Sequence, residues 1–212
     1  MSLHLDHCLE IDLVKYAADI PNGFDSIMVD MSHYEKEENL RLTKELTDYC
    51  HERGIATEAE PGRIEGGEDG LKDTADLEGV LTTPEQAQEF VDTGIDFLAP
   101  AFGNIHGEYG SKGPNGWLEF DRLDKVNKAV GDKVKIVLHG TNAFDQELFQ
   151  RCVGHGVSKI NVNKQLIDPW KEMMGKRESH VPITKLIEDS INVFQSEVER
   201  LMDECGSSGK AS

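Results

Sequence analysis

The chain has 212 residues, 38% of them apolar, enough for one hydrophobic core in one domain or two small ones. A formal charge of −18 leaves no positive field to hold a polyanion, which excludes a general nucleic-acid or anionic-membrane partner and means that an anionic ligand needs locally placed cations or backbone donors. Cys8, Cys50, Cys152 and Cys205 form no CxxC pair, no secretory signal precedes them, and no apolar run approaches the ~20 residues that cross a bilayer, so the expectation is a cytoplasmic protein with reduced thiols.

Short β-rich runs alternate with helical patterns from the first residues. "LHL" (3–5) leads into "LEIDLVKYAADI", and "FDSIMVD" (24–30) into "EKEENLRLTKELTDYCHERG", whose leucines recur at helical spacing. "IATEAE" (55–60) opens into the polar loop "PGRIEGGEDGLKDTADLEG". "TTPEQAQEFVDTG" then carries a cap residue and an early proline, the signature of a helix start. "IDFLAPAFG", the loop "NIHGEYGSKGPNG" and a helical pattern over Phe120–Val130 follow. "KVKIVLHG" leads to "NAFDQELFQRCVGHG", and "VSKINV" to "NKQLIDPWKEMMG". The segment from "VPITKLIED" to "MDECG" reads as one long amphipathic helix. The expectation is one domain over residues 1–205 with a mobile tail over 206–212. Six strand candidates alternating with helices predict a parallel α/β sheet. An open sheet is the neutral reading, since a closed eight-stranded barrel typically takes about 250 residues.

Polar residues gather where these strands finish. His7 follows "LHLD", His106 follows "LAPAFGNI", and His139 follows "KIVL". A parallel sheet delivers its strand ends to one face, where three imidazoles can hold zinc and leave a coordination position open. The competing reading is that each histidine bonds locally at a loop start. Asp6 precedes His7 and Asp30 ends "SIMVD". Glu58 and Glu60 alternate on "IATEAE", which puts both on one face, where two like charges need a cation, a proton or solvent. The acidic loop with Glu65, Glu68 and Asp69 either folds over a ligand or is an exposed turn. Gly107 and Gly140 directly follow two of the histidines and can bring backbone N–H groups close to an anion. Asn161, Asn163 and Lys164 end the last strand, with Lys164 a candidate phosphate cation and an asparagine helix cap the alternative.

Taken together, "LHLDH", "GFDSIMVDMSH", "EENLRLTK", "TEAEPGRIEGGEDG", "VDTGIDFLAPAFGNIHGEYG", "FDRL", "IVLHG" and "GVSKINV" resemble, in order and spacing, the class II metal-dependent fructose-bisphosphate aldolases, which include tagatose-bisphosphate aldolases. The resemblance implies a (β/α)8 TIM barrel, a homodimer or higher oligomer, and cleavage of a ketose 1,6-bisphosphate to dihydroxyacetone phosphate and glyceraldehyde 3-phosphate. It implies that Asp6 moves the proton at the hydroxyl-bearing carbon and that Glu68 handles the proton at the nucleophilic carbon. His7, His106 and His139 match the zinc ligands, and Asp30 and Glu60 match a second or displaced metal position, for a second divalent ion or a monovalent cation. Gly107, Gly140, Thr141 and Asn142 match the phosphate-binding turn, and Asn161 a contact near the substrate carbonyl.

The departures are local. Cys8 stands where glycine is usual. "HGTNA" replaces a turn close to "HGGSG", so Thr141, Asn142 and Ala143 lack glycine's backbone freedom. Asn163 and Lys164 replace an Asp-Thr pair. Two βα units that the family carries before "LHLDH" are not in this sequence, so six of eight units are expected, with open sheet edges. The alternative is a non-catalytic or truncated metal-binding relative, or an aldolase for another ketose phosphate.

Overall fold

A computed structural model describes residues 1–66, 81–177 and 180–210. In chain order the elements are β1 (His4–Cys8), α1 (Ile11–Ala18), β2 (Ser26–Val29), α2 (Lys36–His51), β3 (Ala56–Ala59), β4 (Glu65–Gly66), α3 (Pro84–Val91), β5 (Phe97–Leu98), β6 (Ile105–His106), α4 (Phe120–Val130), β7 (Lys135–Leu138), α5 (Gln146–Gly154), β8 (Val157–Ile160), α6 (Lys164–Lys176) and α7 (Ile183–Glu204). Six strands form one sheet in the order β1-β2-β3-β5-β7-β8, and every adjacent pair is parallel. This is six of the eight units of a (β/α)8 barrel, with β1 and β8 as the sheet edges among the described residues. The two-residue strands β4 and β6 pair separately beyond the strand ends.

Local chemistry explains where the elements begin and how they pack. Thr83 accepts from the Gln86 N–H while Gln86 accepts from the Thr83 N–H, and Pro84 occupies the first helical position, so α3 starts on a full capping box. The parallel strands are buried between helices and read as apolar runs: Ile27, Met28, Val29, Ile136, Val137 and Leu138 are each at most 1% exposed. Helices α2, α4 and α5 turn Leu42, Leu46, Leu123, Val126, Leu148 and Phe149 onto this core. The run "IDFLAPAFG" contributes only Phe97–Leu98 to the ladder. Beyond it the chain turns at Gly103 (φ +100°), where an added Cβ would lie 2.0 Å from the Trp117 carbonyl oxygen.

Two irregularities interrupt the sheet near its polar end. Between Leu5 and Cys8, β1 carries one residue more than β2, and His7 sits at φ +46°. β8 likewise carries an extra residue opposite Ile136–Val137, ahead of Lys159. Such bulges re-aim side chains that a regular pleat would send to opposite faces.

Candidate metal centre

The β1 bulge lets the consecutive residues Asp6 and His7 both reach the carboxyl end of the sheet. A left-handed conformation costs a non-glycine residue about 1–2 kcal/mol, so the surroundings must hold it. They do: His7 Nδ1 lies 2.7 Å from Asp30 Oδ2, while the Asp30 Oδ1 accepts from the Ser32 N–H at 3.1 Å and the Ser32 hydroxyl at 2.6 Å. Asp30 is 4% exposed. Burial pushes its pKa up, but the bonds from His7 and Ser32 outweigh burial, so the carboxyl stays below its ordinary range and ionised.

His139, at the end of β7, is held the same way. Its Nε2 lies 2.8 Å from Glu58 Oε1, and both side chains are essentially fully buried. Burial dominates and lowers the His139 pKa, with Glu58 opposing, so the ring is neutral. Glu58 itself is held low: burial would raise it, and the His139 bond and the Lys159 charge more than offset that. A carboxylate stands behind each ring, and the inner nitrogens, His7 Nε2 and His139 Nδ1, face each other 3.1 Å apart. His106, on β6, completes the triangle, with ring centroids 5.3 Å from His7 and 5.5 Å from His139. One ligand atom from each of the three histidines lies within 4.8 Å of the others, and the same holds for His7, Asp30 and Glu60.

This donor set fits a divalent cation. Imidazole nitrogens converge on one point, the ring orientation is fixed by carboxylates behind, and the ionised Asp6, Asp30 and Glu58 gather negative charge beside them that the Lys159 ammonium on Glu58 offsets in part. Glu60 is 2% exposed and takes the Ile64 N–H at 2.6 Å on Oε1.

The rim is a hydrogen-bonded chain. Lys159 Nζ donates to Glu58 Oε2 at 2.8 Å and to Asn161 Oδ1 at 2.7 Å; Asn161 Nδ2 donates to Asp6 Oδ1 at 3.0 Å. Burial would raise the Asp6 pKa, but the bond with His4 and the fields of His7, His139 and Lys159 hold it well below the usual carboxylate range. Gly140 (φ +67°) packs so closely that a Cβ would meet Ile105 backbone at 2.5 Å. Thr141 donates to the Asn161 carbonyl at 2.7 Å and Asn142 to the Gly107 carbonyl at 3.1 Å. Ala143 takes up φ +62°, so the turn keeps a left-handed residue without glycine. Asn163 stands at the start of α6, but its side chain makes no capping bond, and Lys164 Nζ pairs with Glu108 Oε1 at 2.9 Å. Glu68 lies outside the described residues.

Sequence reading passed over Lys159 and His4 and left Glu58 without a role. Lys159 in β8 and Asn161 just past its end are two apart, as Glu58 in β3 and Glu60 just past its end are, and that shared-face spacing was the available signal. Nothing local marks His4, which bonds Ser26 at 2.7 Å across the strand pair.

Comparison with known proteins agrees with this geometry. Residues 1–210 match the family model described as fructose-bisphosphate aldolase class-II. A crystal structure of a Coccidioides immitis protein assigned to the fructose-1,6-bisphosphate aldolases superposes with a TM-score of 0.94 at 56% identity, covering 99% of this chain and 72% of that one. The Geobacillus stearothermophilus fructose-bisphosphate aldolase is 36% identical over 100% of this chain and 72% of its own length. A 6-phospho-5-dehydro-2-deoxy-D-gluconate aldolase from Shouchella clausii is 33% identical over 99% and 69%. Helices alternating with six parallel strands, three imidazoles converging at the strand ends and a match that runs from end to end lead to one assignment: the chain belongs to the class II fructose-bisphosphate aldolase family, the metal-dependent aldolases.

Proposed function

We propose that this chain performs zinc-dependent aldol cleavage and condensation of a ketose 1,6-bisphosphate, splitting fructose 1,6-bisphosphate into dihydroxyacetone phosphate and glyceraldehyde 3-phosphate. The observation that carries the reading is the convergence of His7, His106 and His139, with ligand atoms within 4.8 Å of one another and the facing nitrogens of His7 and His139 3.1 Å apart, and Asp6 on the same rim. His7, His106 and His139 would hold Zn²⁺, and Asp30 and Glu60 together with His7 form a second position for a divalent or monovalent cation. When bound there, zinc supplies Lewis-acid polarisation of the substrate ketone.

The chain's own groups do the rest. Asp6, ionised and oriented by Asn161, accepts the proton of the hydroxyl on the carbon that becomes the aldehyde. As that carbon becomes the aldehyde, the carbon–carbon bond breaks and its electron pair passes toward the ketone oxygen. Glu68 then returns a proton to the nucleophilic carbon of the released ketose phosphate, the role the family pattern gives it. Gly107, Gly140, Thr141 and Asn142 form the turn for one phosphate, with Asn163 and Lys164 beside it.

A second reading, cleavage of a different phosphorylated ketose, is favoured by the same turn. Ala143 and the Lys164–Glu108 pair alter the surroundings of one phosphate, and a relative named for a phosphorylated dehydro-deoxygluconate shares 33% identity. The test is a coupled aldehyde-release assay on zinc-loaded protein with fructose and tagatose 1,6-bisphosphates and 6-phospho-5-dehydro-2-deoxy-D-gluconate. Turnover of fructose 1,6-bisphosphate, lost on chelation and in Asp6→Ala, supports the first reading. Zinc binding without cleavage of any of the three leaves a metal-binding relative and refutes it.

A further inference from the structure

His4 is the one imidazole at this end of the sheet that the metal centre leaves without a task. In the β1–β2 register it stands opposite Ser26, and its Nδ1 lies 2.7 Å from the Ser26 hydroxyl oxygen. Its other nitrogen, Nε2, lies 3.5 Å from Asp6 Oδ1 and 3.7 Å from Glu58 Oε2. That atom is buried and forms no well-made hydrogen bond. One ligand atom from each of His4, Asp6 and Glu58 lies within 4.8 Å of the others.

A ring nitrogen presents either a lone pair or an N–H, and the surroundings decide which. Ser26 serves either way, since a hydroxyl donates to a bare Nδ1 or accepts from a protonated one. Nε2 has no such freedom. Asp6 and Glu58 are both ionised, so a lone pair there would face two negative oxygens in a place closed to water, whereas an N–H meets two acceptors. A metal ion in place of the proton finds the oxygens already taken. Glu58 Oε2 holds the Lys159 ammonium at 2.8 Å, and the Asn161 amide reaches Asp6 Oδ1 at 3.0 Å and Oδ2 at 3.2 Å. The consequence falls on Asp6. Asn161 alone leaves its carboxylate free to turn, and a second donor at Oδ1 fixes the plane.

We propose that His4, with its proton on Nε2, is a positioning residue that holds the Asp6 carboxylate in the orientation from which it takes the substrate hydroxyl proton, while Ser26 fixes the tautomer by donating to Nδ1. The catalytic half of this rests on the aldolase reading; the tautomer stands on the geometry of the chain alone.

Two measurements test it. Long-range nitrogen–proton correlation NMR on metal-free protein with isotope-labelled histidine reads the tautomer, and His4→Gln identifies the His4 signals by their loss. A protonated Nε2 and a bare Nδ1 are expected, and a bare Nε2 overturns the inference. The second is kinetics of the zinc-loaded chain with metal content measured alongside. A glutamine amide nitrogen reaches the place of Nε2, an asparagine amide nitrogen that of Nδ1. His4→Asn should therefore lower kcat about ten- to a hundredfold, the scale of a misplaced catalytic group, with KM held within about threefold and zinc unchanged. His4→Gln should recover most of the loss. Equal losses in the two variants, an unchanged kcat in His4→Asn, or loss of bound metal in His4→Asn each overturns the inference. Ser26→Ala, a smaller change behind the ring, covers the case in which the His4 variants fold poorly: it should mix the two tautomers in the spectrum and lower kcat in part, and an unchanged spectrum and rate overturn the tautomer lock. The two failures are distinct. A parent chain that cleaves none of the three sugar phosphates refutes the aldolase reading and the positioning role with it, whereas an active parent with a bare Nε2 refutes the inference alone.

Discussion

Replacing Lys159 by methionine tests the electrostatic reading of the centre most directly. Glu58 is fully buried and shares its oxygens between His139 and Lys159, each at 2.8 Å. Lys159 is about one quarter exposed, so its charge is only partly hydrated in the absence of the pair. Removing one partner of a fully buried pair costs ~3–5 kcal/mol, because the other charge is left uncompensated. The hydrogen bond from His139 remains and water reaches the lysine site, so the expected loss is about 2–3 kcal/mol. Urea unfolding of the metal-free chain, followed by circular dichroism, reads this directly. Glu58→Gln removes the charge that suffers, so Lys159→Met in that background should cost under ~1 kcal/mol, a coupling of at least ~1 kcal/mol across the cycle. Zinc should rescue part of the loss in Lys159→Met, since a cation at the histidines compensates the same carboxylates. Additive losses in the double variant, or a loss below ~0.5 kcal/mol in Lys159→Met alone, would refute the assignment of Lys159 as the counter-charge of Glu58.

Other outcomes rest on the same geometry. Elemental analysis of the purified protein should find about one tightly held zinc per chain, and His7→Ala or His139→Ala should weaken binding by two or more orders of magnitude, since a ligand is lost from a three-imidazole set. Asp6→Ala should keep the metal and abolish cleavage, which metal analysis and the aldehyde assay read separately. The His139 pKa is depressed by burial from an ordinary 6.5, so the unfolded chain binds its proton first as pH falls. Stability of the metal-free protein is therefore complete above that value and declines as pH drops below it, and His139→Gln should flatten this limb of the stability profile. Asp30 and Glu58 are also depressed, from 3.8 and 4.5, so their contribution is present above those values and is lost at still lower pH. Ala143 at φ +62° should accept glycine with a gain of about 0.5–1 kcal/mol in unfolding free energy, and an unchanged or lower stability in Ala143→Gly would contradict the left-handed backbone there.

The amino-acid sequence by itself determined the class of fold. Apolar runs of strand length alternating with helix-period segments admit little except a parallel sheet covered by helices, and the cap residue and early proline of "TTPEQAQEFVDTG" marked the start of α3. The candidate ligands were legible for a related reason: a parallel sheet sends its strand ends to one side, so His7, His106 and His139 could be placed on a common face without any contact being known. The facing of His7 Nε2 and His139 Nδ1 at 3.1 Å, and the carboxylate behind each, were decided only by the tertiary structure, because those pairs are 132, 23 and 81 residues apart. The bulge at His7 was likewise invisible, since a strict pleat would have sent Asp6 and His7 to opposite faces and only the register against β2 shows the extra residue. Lys159 escaped because a lysine on a strand is ordinarily a solvated side chain. Its meaning came from Glu58, 101 residues away, whose burial makes the ammonium necessary. The stripe on α7 was readable as amphipathic from its period, but a period alone implies a buried face, and the fold leaves that face at the surface.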